Sequence, residues 1–89
     1  MPNPALTPKQ CILEFLPTIS LLNRVGALMG DEKKQLSNLV SGSDPEKWMH
    51  VHAFLVEIQK KRQVVSDLVC QTVAAAIKQV ERFLSQTML

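Results

Sequence analysis

Few residues in this sequence are of types that do chemistry. The two histidines, His50 and His52, stand two positions apart. On a helix that spacing turns the imidazoles about 200° away from each other, so they do not close on one metal ion. Neither has a cysteine or acidic residue four positions further on to complete a pair. The two cysteines, Cys11 and Cys70, form no C-x-x-C motif, and they read as packing thiols of a protein in a reducing compartment. Cys70 has an acidic residue, Asp67, three residues before it, which is not the electropositive setting of a nucleophilic cysteine. Glu14 and Glu57 form no recognisable carboxylate pair. There is no G-x-G-x-x-G, no phosphate-binding loop and no G-x-S-x-G. The expectation is therefore no enzyme, no catalytic residue, no metal and no cofactor.

Lys60-Lys61-Arg62 is the one basic cluster, and Lys47, Lys78 and Arg82 could join it in touching phosphates. These side chains project in different directions on helices, Glu57 and Asp67 flank the cluster, and the net charge is only +2. The cluster reads as a solvated face, and nucleic acid is not the expected partner. Arg62 is the least ordinary position. By helical phase it falls on an apolar stripe between Ile58 and Val65. It reads as a stem with its charged head at the edge, or more sharply as a group that pairs with a carboxylate across an interface and sets helix register. Ser66 and Thr72 lie near the same face and would allow close helix approach.

The elements that would carry these residues are helical throughout. Residues 1–6, with two prolines, read as an extended leader. Thr7, Pro8 and Gln10 form a helix start: a capping hydroxyl, a proline at the first position and a glutamine able to close a capping box. Ile12, Phe15, Leu16 and Ile19 then lie on one face, and after Pro17 the stripe is Leu21, Leu22, Val25, Leu28 and Met29. This predicts a helix over about 8–29, kinked or divided at Pro17 and stopped by Gly30. Asp31 caps a short helix over 32–41 with Leu36, Leu39 and Val40 inward. Ser43, Asp44, Pro45 and Glu46 open another helix, and from Pro45 to Leu89 there is neither glycine nor proline beyond the first position. Helix over 45–88 is therefore expected to be continuous, with the polar run Gln59–Gln63 as its solvated waist. Its stripe, spaced 58, 62, 65, 69, 73, 76, 80, 84, has an eleven-residue rhythm close to that of a straight helix.

Such a helix would be about 66 Å long, roughly twice the diameter of a compact chain of 89 residues. The short N-terminal helices would leave part of its stripe bare, with Val64, Leu68 and Ala75 beside it. Uncovered large apolar side chains favour burial by roughly 1.5–3 kcal/mol each, and such patches mark interfaces. The expected fold is all-α: short kinked N-terminal helices packed on one long C-terminal helix, in an antiparallel helical dimer. Residues 7–89 form a single domain. The expected protein interface is Val51, Leu55, Ile58, Arg62, Val65, Leu68, Val69, Val73, Val80 and Leu84.

No apolar run is long enough to span a membrane and the N-terminus is unlike a secretory signal, so a cytoplasmic protein is expected. The functional expectation is a small non-enzymatic interaction module of the adaptor, chaperone or anti-activator kind, which occludes a hydrophobic face of another protein. Two alternatives stand beside it. One is a small DNA-binding regulator that uses Lys33, Lys34, Gln35 and Asn38 as a recognition surface in a helix-turn-helix-like N-terminal half. The other is a monomeric helical immunity or inhibitor protein.

Overall fold

A computed structural model describes residues 7–62 and 67–87. The expected leader, and Val64, Val65 and Ser66, lie outside the described residues. Four helices follow in order: α1 (Pro8–Arg24), α2 (Gly30–Ser41), α3 (Lys47–Lys61) and α4 (Asp67–Thr87). No strand occurs among the described residues.

α1 starts as its residue types require. The Thr7 hydroxyl accepts the Gln10 N–H at 3.1 Å, and the Gln10 side chain accepts the Thr7 N–H at 3.0 Å. The helix runs through Pro17 and ends at Arg24. The stop is Gly26, not Gly30. Gly26 takes a φ of 74°, which a side chain would disfavour, and its N–H bonds to the Asn23 carbonyl. The Ala27 N–H reaches back to the Leu22 carbonyl at 3.0 Å, completing a Schellman cap whose two ends, Ala27 and Leu22, are both buried. Gly30 instead opens α2. There Glu32, rather than Asp31, makes the start: its carboxylate accepts the Met29 N–H at 2.7 Å. α3 begins two residues later than expected. The Asp44 side chain accepts the Glu46 N–H at 2.9 Å across Pro45, a side-chain turn that hands the chain into the helix. The Lys47 ammonium, buried, donates to the Val40 carbonyl at 3.0 Å and so caps the C-terminus of α2.

The continuous helix over 45–88 is corrected. α3 ends at Lys61, and Arg62 leaves helical geometry at φ −104°, ψ 10°. On a straight helix Trp48 and Phe83 would be about 52 Å apart. Their ring centroids are 4.9 Å apart, so α3 and α4 fold back on each other as a hairpin. His52 and Glu81, 3.2 Å apart, bridge the same pair of helices. The molecule measures 43 × 25 × 19 Å, too short for a 66 Å helix. Within each helix the buried spacing is that of a hairpin seam: 48, 51, 55, 58 on α3 and 69, 73, 76, 80, 83 on α4. The eleven-residue rhythm arose from reading two four-three patterns through a turn. The physical reason for the fold-back is long-range. The α3 stripe and the valine-rich α4 stripe, the latter poor at holding a helix by propensity, gain far more by burying each other than by staying collinear.

The N-terminal helices do not lie along one rod. α1 packs on α4 and α2 packs on α3, so the order around the bundle is α1, α4, α3, α2. Phe15, Trp48 and Phe83, from three different helices, meet edge-to-face at 4.9–6.3 Å and form the aromatic centre.

Candidate interaction surface

The fold-back decides where the ten expected interface residues go. Val51, Leu55, Ile58, Val69, Val73 and Val80 are buried in the chain's own core. They cannot at the same time present a face to a partner, and this is the main correction to the expected site. Leu84 packs half-buried against that core. Leu68 is 59% exposed, in the first turn of α4. Val65 lies outside the described residues.

Arg62 does pair with a carboxylate, but within the chain. Its guanidinium donates to Glu32 Oε1 at 2.6 Å, and Lys61 stands 3.9 Å from the other oxygen of Glu32. Only 16% of the Arg62 side chain and 12% of the Glu32 side chain is exposed. Glu32 therefore accepts both the helix-start N–H of α2 and the cation that closes α3. It locks the beginning of one helix to the end of the other. A charge that sequence phase puts on an apolar stripe is thus placed at the rim where the stripe turns.

Several other polar groups are also paired within the chain. His50 lies 3.3 Å from Asp44 and His52 lies 3.2 Å from Glu81, each in its own pair. Among the described residues no group of three or more His, Cys, Asp and Glu side chains converges on a point where a metal could sit. Gln79 joins α4 to α1 around Pro17: it accepts from the Thr18 hydroxyl and donates to the Glu14 carbonyl at 3.1 Å. Arg82 donates to the Glu14 carboxylate at 2.7 Å. Of the bases considered for phosphate contact, Lys47, Lys61, Arg62 and Arg82 are thereby committed to partners inside the chain. Cys11 is fully buried, and burial, then the Glu14 charge, pushes its thiol above the ordinary value of 9.0. Cys70 donates weakly to the Arg62 carbonyl at 3.5 Å. Cys11 and Cys70 are not joined in a disulfide.

Two surfaces remain. The first is an open groove of about 410 Å³ between α2 and α3, with Leu39, Phe54 and Ile58 at its base and Glu57, Lys61, Gln35 and His50 around it. The second is the outer side of α1. Phe15, Cys11 and Leu22 take its inner side, while Leu13 is 57%, Leu16 48% and Leu21 45% exposed. Apolar spacing groups Leu16 with Phe15 and Leu21 with Leu22, yet Phe15 and Leu22 are buried and Leu16 and Leu21 are exposed. The signal was present in the sequence. α1 carries apolar residues on every side, which a helix with one buried face does not need. Among the described residues no helix is long and apolar enough to cross a membrane. No protein-family model, curated protein or solved structure matches this chain.

Proposed function

We propose that this chain is a small non-enzymatic protein-binding module that covers an apolar face of a partner protein with the outer side of α1. One observation carries the reading: three leucines, Leu13, Leu16 and Leu21, are each about half exposed on a single helix. In so small a fold, with a closed core, such a cluster is the kind of feature that marks an interface.

The mechanism is occlusion. Apolar area on the partner and on α1 leaves water together, at about 25 cal/mol per Å², and no bond is made or broken. Because Leu55, Val69 and Val73 already fill the chain's own core, the reading does not require a second copy. That supports the single-chain, inhibitor-like form of the module over the homodimer expected from an uncovered stripe. The test is capture by the immobilised chain from a lysate of its own cells, beside the variant Leu13→Gln, Leu16→Gln, Leu21→Gln. A protein retained by the native chain and lost on the variant, with helix content and melting unchanged, supports the reading. Equal retention on both overturns it.

A further inference from the structure

The outer side of α1 also carries charge in a pattern that constrains what covers it. Lys9 and Arg24 stand at its two ends, both exposed, 15 positions and about 22 Å apart along the helix. Between them the exposed positions include Leu13, Leu16, Pro17, Ser20 and Leu21, with Glu14 as the one ionisable group. Glu14, the one carboxylate of α1, is paired with Arg82 of α4. Among the described residues neither Lys9 nor Arg24 has an ion-pair partner. The surface is thus an apolar strip with a cation at each end.

We propose that the partner segment is an amphipathic helix whose apolar strip is bounded at both ends by Asp or Glu, about 22 Å apart, laid along α1. This rests on the protein-binding reading above and gives the partner its chemistry. The charge pattern disfavours the other occupants. A second copy docked antiparallel about the centre of the strip, near Leu16 and Pro17, would set Lys9 against Arg24 at both ends. A parallel copy would set Lys9 against Lys9 and Arg24 against Arg24. Either places like charges together at both edges of the contact. A membrane surface would use a cluster of four or more bases, and this strip has two. A helix with acidic ends pairs both cations and also receives the leucines.

The probe is a pair of synthetic helical peptides with the same apolar strip, one with Glu at both ends and one with Lys at both ends. Binding to the full chain is read by fluorescence anisotropy at low and high salt. The Glu-ended peptide is expected to bind about tenfold tighter than the Lys-ended one, with the gap closing at high salt. In the chain variant Lys9→Glu, Arg24→Glu the preference is expected to invert. Both positions are exposed, so that variant keeps the fold. Equal binding of the two peptides, lost in Leu13→Gln, Leu16→Gln, overturns the charge inference and leaves the protein-binding reading standing. Binding that survives the leucine changes overturns both. If neither peptide binds, the proposed partner chemistry is wrong. Binding only to phosphatidylserine vesicles, or a dimer in sedimentation that Leu16→Gln dissociates, replaces it with a lipid surface or a second copy.

Discussion

α4 and α1 lie against each other, both are rich in aliphatic residues, and they use them differently. α4 touches α3 on one side and α1 on the other, so Val69, Val73, Ala76, Ile77, Val80 and Phe83 are all buried. Its one strongly exposed large apolar residue among those described is Leu68, in the first turn. α1 is at the edge of the bundle. It meets α4 closely and α2 lightly, which covers Cys11, Phe15 and Leu22 and leaves Leu13, Leu16 and Leu21 outside. The lesson is that similar composition gives a core helix or a surface helix according to how much of it its neighbours cover. Surplus leucine on an edge helix is therefore more informative about binding than any amount of valine on a central one.

The strongest way to break this contrast is to charge the central seam. Leu55→Asp places a carboxylate at a fully buried position in the hydrophobic core. The cost is several kcal/mol, comparable to the whole stability of a small domain, so helix circular dichroism at 25 °C should collapse. A folded Leu55→Asp protein with an unchanged midpoint would mean the α3–α4 core is misassigned. Phe15→Ala removes the α1 member of the aromatic centre and should cost about 3–5 kcal/mol in urea unfolding.

Glu32→Ala comes next. It strips the acceptor from both the Met29 N–H and Arg62, and about 1–3 kcal/mol is expected. A double-mutant cycle with Arg62→Met should return a coupling energy clearly above zero, and additivity would argue that the two do not interact. A smaller effect belongs to Cys11. Its thiol keeps its proton to higher pH in the folded chain than in the unfolded one. The stability this contributes is fully present below 9.0 and lost as pH rises above it, and Cys11→Ala should flatten that limb of the denaturation midpoint against pH. The smallest change is Leu16→Gln, one residue from Phe15 on the opposite side of α1. It should move the midpoint by less than about 0.5 kcal/mol. A loss as large as that of Phe15→Ala would place Leu16 inside and remove the strip on which the binding proposals stand.

Much of the fold was legible in the sequence. Thr7 and Gln10 announced the start of α1, Leu36 and Val40 faced inward on α2, and Trp48 anchored the start of α3. These are local signals, set by hydrogen-bond geometry and periodicity within a few residues. Less was legible where two local signals competed. Gly26 and Gly30 both suit a helix end, and only the buried contact of Ala27 with the same core as Leu22 favours the first. The candidate surface was the least legible. The uncovered stripe expected over 45–88 is largely buried by the fold-back, and exposed leucines stand on α1 instead, because burial depends on which helices are neighbours.

Helix type, the approximate starts of α1, α2 and α3 and the all-α class followed from the sequence alone, because caps, prolines and apolar spacing act over one or two turns. The direction of the chain after Arg62 did not. Gln59 to Gln63 is polar and solvated equally well as a waist or as the approach to a turn, so no local term separates the two. The free energy that separates them comes from Trp48, Val51, Leu55 and Ile58 meeting Val69, Val73, Val80 and Phe83. That contact, and with it the pairing of Arg62 with Glu32 and the exposure of the α1 leucines, exists only in the tertiary structure.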